Sequence, residues 1–169
     1  MRLFVLTGTC GAGKSTVLTY LKTLLPKARY ACFDTDELGL NWWDYAHTDT
    51  PSRFSDDCIR EAVSRAGGRD IVFASCLNPQ DYIGVHRIPE EVDSTLFLVL
   101  CPSDEEIARR LKARPKERGF TSEEAIAPHV EYNAWFRQNR GKFPLCLDTQ
   151  SMGIRETAEH IAAFIQAIG

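Results

Sequence analysis

Residues 6–16 read LTGTCGAGKST, and their types and spacing are those of a phosphate-binding loop. The run fits the pattern G-x-x-x-x-G-K-S/T, known as a P-loop, between a strand-like apolar run and a helical pattern. Glycines leave room for backbone N–H groups to surround a phosphate, and the positive end of the following helix adds attraction. We expect Lys14 to neutralise the β- and γ-phosphates and Ser15 to ligate Mg²⁺. The predicted nucleotide-binding residues of the loop are Gly8, Thr9, Cys10, Gly11, Ala12, Gly13, Lys14, Ser15 and Thr16.

Two acidic residues follow the second strand-like run, in CFDTDEL at 32–38. Side chains two apart on a strand point the same way, so Asp34 and Asp36 are predicted to face the cleft beside the P-loop. One carboxylate would hold Mg²⁺ through water while the other binds or deprotonates an acceptor hydroxyl. Asp34 is assigned to the metal with Ser15, Asp36 to the acceptor, and either is a candidate base. The alternative is that one or both cap a helix beginning near residue 37, since aspartate is a favoured N-cap.

A basic segment, ARRLKARPKERGFTSEE at 108–124, is the second charged cluster. Pro115 predicts the end of one helix, and Thr121 with Glu124 fits a capping box that opens the next. We expect the short basic loop between them, about 114–122, to fold over a triphosphate as a lid. The residues assigned to this chemistry are Arg110, Arg114 and Arg118, whereas Arg109 and Lys112 are expected to be solvated.

The elements that position these residues follow from the alternation of short apolar runs with segments of helical period. Five runs predict strands at 2–7, 30–34, 70–76, 94–101 and 144–149, and the last helix is expected over about 154–168. The sequence contains no repeat or linker and is too short for a second full domain. We therefore predict one doubly wound α/β domain over 1–169, with an acceptor-binding flap at about 36–66.

The composition argues against several other classes of protein. The chain has 169 residues, 44% of them hydrophobic and 25% charged, and a net charge of -3. This balance disfavours a general nucleic-acid binder, and no apolar run approaches the roughly 20 residues needed to span a membrane. The six cysteines include no C-x-x-C pair and are expected to be reduced thiols. We expect a cytoplasmic protein.

Two large classes of P-loop protein fit the sequence poorly. Motor-type and AAA+ ATPases usually place an acidic residue at the end of a strand such as 70–76, but this run ends ASCLN. GTPases read guanine through N-K-x-D, which the sequence lacks, and DELG at 36–39 follows the P-loop too closely for the D-x-x-G of that class. The acidic pair and the basic lid instead favour transfer of phosphate to an acceptor.

The P-loop together with FDTDEL, RRLKAR, a basic lid and a terminal LDT before a helix resembles small-molecule kinases of the nucleoside monophosphate kinase-like group. The resemblance is greatest to the gluconate and shikimate kinase branch, in which D-x-D follows the second strand. It implies a three-layer αβα fold whose five-stranded parallel sheet has the order 2-3-1-4-5, with a short helical lid. It also implies that Arg110 packs near adenine and that Arg114 belongs to the lid. Asp34 and Asp36 would serve metal and acceptor.

The segment 39–66 departs from the substrate-reading patterns of those families and leaves the acceptor open. Trp42 and Trp43 are candidates to stack on a sugar, an aromatic ring or a base, with Arg53 as a polar contact. Packing of the flap onto the sheet explains the same aromatic side chains equally well.

Several other polar and aromatic residues carry weaker expectations. Asn78 and Arg87 flank the end of the third strand and are candidates to reach the acceptor, although a turn cap explains Asn78 equally well. Surface or core positions without a metal are expected for His86, His129 and His160, and core positions for Trp135 and Phe136.

The sequence therefore predicts an ATP- and Mg²⁺-dependent phosphotransferase acting on a hydroxyl of a small molecule such as a sugar acid or a nucleoside. The alternatives are a nucleoside or nucleotide kinase, and a P-loop ATPase or regulator without a small-molecule acceptor. We expect a monomer or homodimer that binds neither nucleic acid nor membrane. The predicted catalytic residues are Lys14, Asp34, Asp36, Arg114 and Arg118, and the predicted substrate contacts are Asp36, Trp42, Trp43, Arg53 and Asn78.

Overall fold

The computed structural model of the chain describes residues 1–80 and 88–168, so His86 and Arg87 lie outside the described residues. The strands are β1 (Arg2–Thr7), β2 (Tyr30–Asp34), β3 (Asp70–Ala74), β4 (Ser94–Leu100) and β5 (Leu145–Leu147). The longer helices are α1 (Lys14–Leu24), α2 (Arg53–Ala66), α3 (Asp104–Lys112), α4 (Glu123–Gln138) and α5 (Ile154–Ile168).

The five strands form one parallel sheet in the order β2-β3-β1-β4-β5, which confirms the predicted fold. Strand β1 lies at the centre and is buried from Leu3 to Thr7, because both of its faces are covered. Parallel strands bring their carboxyl ends to one edge of the sheet. The P-loop after β1, the segment after β3 and the turn after β2 therefore lie in that order along one edge.

Helices cover both faces of the sheet, giving the three-layer arrangement. On one face, Phe4 packs in a core with residues of α1 and α5, including Leu21 and Ile161. On the other face, Val5 packs with α2, including Ile59. Neighbouring residues of β1 thus enter two different cores, as the period-two alternation of a strand requires.

A third, smaller apolar cluster lies beside β4 and β5. Phe136 is fully buried in it and Trp135 packs at its margin, as predicted. The Sγ atoms of Cys101 and Cys146 are 2.9 Å apart in the same cluster. All six cysteines are free. Among the described residues, no helix combines the length and the apolar character needed to cross a bilayer.

Candidate active site

The P-loop connects β1 to α1 through three glycines with positive φ angles. Gly8 (φ +140°) is irreplaceable on steric grounds, because a Cβ there would overlap the carbonyl oxygen of Leu100. Gly11 (φ +86°) and Gly13 (φ +100°) also hold backbone conformations that favour glycine. The first turn of α1 contains no acidic residue, so the positive end of this helix is not neutralised locally. The loop therefore has the shape and polarity of an anion seat.

Lys14, the first residue of α1, lies against the inner side of the loop. Its Nζ donates hydrogen bonds to the carbonyl oxygens of Gly8 and Thr9, each at 2.9 Å. Ser15 and Thr16 follow in the first helical turn with exposed side chains. Of these three side chains, those of Ser15 and Thr16 are open to solvent, whereas that of Lys14 is partly buried against the loop.

Arg110 of α3 lies across the P-loop from the other side. It forms an ion pair with Glu106 at 2.7 Å, and its Nη1 donates to the carbonyl oxygens of Gly11 (3.1 Å) and Ala12 (3.4 Å). Arg109 shares the Glu106 carboxylate at 2.7 Å but is 69% exposed, against 30% for Arg110. Of these neighbours, Arg110 is therefore the one that supports the loop.

A cavity of about 330 Å³ opens beside the P-loop between α1, α3 and α5. Its lining includes Gly13, Arg110, Arg114, Thr149 and Thr157. The Oγ1 atom of Thr149 is buried there without a hydrogen-bond partner in the described structure. The sequence did not identify Thr149 as a residue of the site, although it belongs to the LDT run before the last helix. A flat polar group bound in this cavity would have the Thr149 hydroxyl and the Arg110 guanidinium in its lining.

The acidic residues after β2 differ from the prediction in their local structure. Strand β2 ends at Asp34, and Asp36 lies in a 3₁₀ turn, Thr35–Glu37, so the strand alternation used to orient both carboxylates does not apply. Asp34 caps this turn: its Oδ1 accepts from the backbone N–H of Asp36 at 3.2 Å. Glu37 completes a capping box by accepting from the N–H of Asp34 at 3.0 Å. The capping alternative is thus correct for Asp34.

Asp36 contributes only its backbone N–H to this cap, and the residue is exposed. The turn that carries Asp36 lies at the same edge of the sheet as the P-loop, with the end of β3 between them. The turn itself is held firmly, because the Thr35 hydroxyl donates to the carbonyl of Ala74 at 3.0 Å and Lys22 pairs with Glu37 at 2.5 Å. Asp36 therefore projects from a fixed turn beside the phosphate seat.

The lid predicted at 114–122 contains a 3₁₀ turn, Lys116–Arg118, between α3 and α4. The guanidinium of Arg114 stacks over the ring of Phe120, 5.5 Å from its centroid. Arg118 is exposed on the turn. The predicted capping box is wrong in register: Ser122, not Thr121, caps α4 by accepting from the N–H of Ala125 at 3.3 Å. Lid and P-loop are adjacent, since Arg114 lines the cavity beside the loop.

His129 is a second residue that the sequence did not single out for the site. Its ring packs edge-on against Phe120 (centroids 5.2 Å apart), and its Nδ1 lies 3.5 Å from the hydroxyl of Thr9. Burial lowers the pKa of His129, and the positive charges of Arg114 and Lys14 lower it further. No motif in the sequence pointed to His129, because its partner Thr9 is distant along the chain.

The predicted acceptor contacts lie on the flap and after β3. Trp42 packs edge-on against Phe54, with centroids 5.5 Å apart, and Trp43 is 70% exposed. Arg53, the first residue of α2, is exposed. Asn78 uses its Oδ1 as a turn cap by accepting from the N–H of Gln80 at 3.0 Å. Trp42 and Asn78 thus have structural contacts, while Trp43 stacks on His47, with centroids 6.5 Å apart, and remains mostly exposed, as does Arg53.

The oxygen donors near the P-loop fit a hard cation. Ser15 and Asp34 offer a hydroxyl and a carboxylate, the ligand types that suit Mg²⁺. No group of three or more histidine, cysteine, aspartate or glutamate side chains in residues 1–80 and 88–168 is arranged to hold a metal. A cation here would take its remaining ligands from phosphate oxygens and water, as Mg²⁺ does with nucleotides.

The chain is similar to one protein family and to several solved structures. The family described as "AAA domain" matches residues 5–127. The chain belongs to the AAA domain family. This chain nevertheless has no acidic residue at the end of β3, where the sequence continues SCLN. A search of curated proteins gives no match.

Several solved structures similar to this member of the AAA domain family are kinases. Shikimate kinase from Acinetobacter baumannii, in complex with shikimate, superposes with a TM-score of 0.64 at 19% identity, covering 99% of this chain and 94% of that one. Deoxyadenosine kinase from M. mycoides gives 0.61 at 18% identity, with 99% and 100% covered. A sugar kinase from Janibacter sp. HTCC2649 gives 0.66 at 16% identity, with 98% and 95% covered. The predicted resemblance to P-loop kinases is confirmed at the level of fold.

Proposed function

We propose that the protein is an ATP- and Mg²⁺-dependent phosphotransferase that moves the γ-phosphate to a hydroxyl of a small molecule. The observation that carries the proposal is the position of Asp36, which is exposed on a fixed turn at the sheet edge that carries the P-loop. A pure ATPase or nucleotide-binding regulator needs the phosphate seat alone. A carboxylate fixed near that seat, on the turn after a separate strand, is what an acceptor hydroxyl requires.

On the donor side, the loop glycines and the start of α1 would bind the phosphates, and Lys14 would exchange its carbonyl contacts for phosphate oxygens. Arg110 and Thr149 border the cavity beside the loop, which suits the base of the nucleotide. Mg²⁺, held by Ser15 with Asp34 through water, would offset the charge on the phosphates.

On the acceptor side, Asp36 would bind the hydroxyl and orient it towards the γ-phosphate. Trp43 and Arg53 project from the flap and would recognise the rest of the acceptor by stacking and by charge. The arginines of the lid, Arg114 and Arg118, would supply positive charge to the transferring group once the lid covers it. A sugar acid, a nucleoside or a similar hydroxyl compound fits these contacts.

The test is an ADP-release screen with ATP and Mg²⁺ over sugars, sugar acids, nucleosides and coenzyme precursors, with a control that lacks acceptor. We expect ADP release to depend on one acceptor class. Asp36→Asn should then lower turnover by about 10²-fold or more while ATP affinity changes little, since a general base typically contributes on that scale. Asp44→Asn, an exposed flap carboxylate, is the matched control.

Acceptor-independent ADP release, or equal turnover of the Asp36→Asn and wild-type proteins, would contradict the proposal. Lys14→Ala separates the two halves of the argument, because it should weaken ATP binding itself. Unchanged ATP affinity in Lys14→Ala would refute the phosphate seat.

A further inference from the structure

Two thiols meet at the mouth of the phosphate seat. The Sγ atoms of Cys10, in the P-loop, and Cys76, after β3, are 3.8 Å apart. Strands β1 and β3 are neighbours in the sheet, so the two residues come from adjacent strand ends. The backbone on either side of Cys76 is tied to β1: Ser75 N–H donates to Leu6 O at 3.1 Å, and the Thr7 hydroxyl donates to Leu77 O at 2.8 Å. The proximity of the thiols is therefore a property of the sheet.

The surroundings make Cys10 the more reactive thiol of the pair. The Cys76 thiol donates to the Cys10 sulfur and, with the nearby charges of Lys14 and Arg114, lowers the pKa of Cys10 to about 6. The side chain of Cys76 is exposed, so small oxidants reach the pair from solvent. Cys58 provides the contrast, because burial raises its pKa to about 12. Within this pair, Cys10 is thus the thiol that carries the nucleophilic thiolate at neutral pH.

We propose that Cys10 and Cys76 form an oxidation-sensitive pair whose disulfide closes the phosphate seat. A peroxide is the oxidant: the Cys10 thiolate attacks one peroxide oxygen, the O–O bond breaks, and hydroxide leaves and takes up a proton as water. The Cys76 sulfur then attacks the Cys10 sulfenic acid, the S–O bond breaks, and a second water leaves. Two thiols are oxidised to one disulfide and one peroxide is reduced to two waters.

Closure follows from the position of Cys10 between the two carbonyls that hold the loop. A disulfide requires the sulfur atoms to come about 1.8 Å closer, to about 2.05 Å. Thr9 O accepts from Lys14, and Gly11 O accepts from Arg110, so movement of Cys10 displaces both contacts. This step rests on the proposed function, because closure matters only if the seat binds nucleotide.

The experiment treats the full-length reduced protein with hydrogen peroxide, quenches with catalase, and measures disulfides and ATP affinity on the same sample. Trypsin puts each of the six cysteines on a different peptide, so linkage of peptides 3–14 and 70–87 reports this pair alone. We expect this linkage, a fall in ATP affinity of about tenfold or more, and recovery of both by dithiothreitol. A link between Cys101 and Cys146, whose sulfur atoms are 2.9 Å apart, is read separately.

Cys76→Ser and Cys76→Ala are the test variants. They should bind ATP like the wild type before treatment and retain that affinity after mild peroxide. The inference is overturned if the 3–14/70–87 link does not form, if it forms without loss of ATP affinity, or if the Cys76 variants lose affinity to the same extent. Failure of the untreated protein to bind ATP or tripolyphosphate would refute the proposed function and the closure together, whereas the peptide map decides the thiol pair independently.

Discussion

Arg110→Ala is the substitution whose effect can be worked out most directly from the structure. The guanidinium donates to two P-loop carbonyls, at 3.1 Å on Gly11 and 3.4 Å on Ala12, while its other side pairs with Glu106. Removal therefore takes away the clamp on the loop and one wall of the adjoining cavity. We expect weaker ATP binding together with a small loss of stability.

The magnitude follows from the exposure of this side chain and from its geometry. A buried hydrogen bond from a charged donor is worth about 1.5–3 kcal/mol. Arg110 is 30% exposed and its second bond is long, so about 1–2 kcal/mol is a fair total for both. At about 1.4 kcal/mol per tenfold, ATP affinity should fall about 5- to 30-fold.

The assay is calorimetric titration of ATP with Mg²⁺, with Arg109→Ala as the matched control. Arg109 pairs with the same Glu106 carboxylate at 2.7 Å but makes no described hydrogen bond to the P-loop. The control should bind ATP within about twofold of the wild type, as surface ion pairs contribute little. Equal losses in Arg109→Ala and Arg110→Ala would refute the reasoning, because the ion pair and not the loop contact would then be responsible.

Three further predictions concern the loop, its thiol and the core. Gly8→Ala should cost about 1–3 kcal/mol of backbone strain, in addition to the overlap with a β4 carbonyl, and should abolish ATP binding. Gly141→Ala is the control, because a Cβ there meets open space. It should change neither the melting temperature in thermal melts nor the ATP affinity in titrations. Alkylation of Cys10 by iodoacetamide should be half-maximal near pH 6 and level above it, since only the thiolate reacts; a rate still rising at high pH would contradict the lowered pKa. Phe136→Ala should lower the free energy of unfolding by about 3–5 kcal/mol in urea titrations with ATP affinity unchanged, because this fully buried side chain lies in a separate cluster.

The fold could be predicted because its signals are local and repetitive. Strands β1 and β2 and helix α5 begin and end at the predicted residues, since apolar runs and helical stripes determine them directly. Runs 70–76 and 144–149 were predicted too long, because β3 ends at Ala74, before Ser75 and Cys76, and β5 ends at Leu147, before Asp148 and Thr149. Hydrophobicity does not distinguish the last residue of a strand from the first residue of a buried turn.

The candidate site was predictable only where one motif specifies it. The P-loop glycines need a particular backbone, so their spacing alone identified the loop. The geometric reason for placing Asp36 beside the P-loop was wrong, because β2 ends at Asp34 and Asp36 lies in the turn that Asp34 caps, so its role stays a prediction. His129 and Thr149 reach the site through tertiary packing, and Thr9 and His129 are 120 positions apart. No spacing rule encodes such a contact.

The two sides of the cleft differ in how firmly they are fixed. Beyond its contacts with β3 and Lys22, the turn after β2 is held by Arg65, which donates to the carbonyl oxygens of Glu37 and Leu38. The opposing loop, by contrast, exposes every residue from Lys112 to Gly119. For the proposed transfer we therefore expect the arginine loop to move more than the carboxylate turn: structures captured with and without bound nucleotide should superpose on that turn and diverge at Arg114 and Arg118.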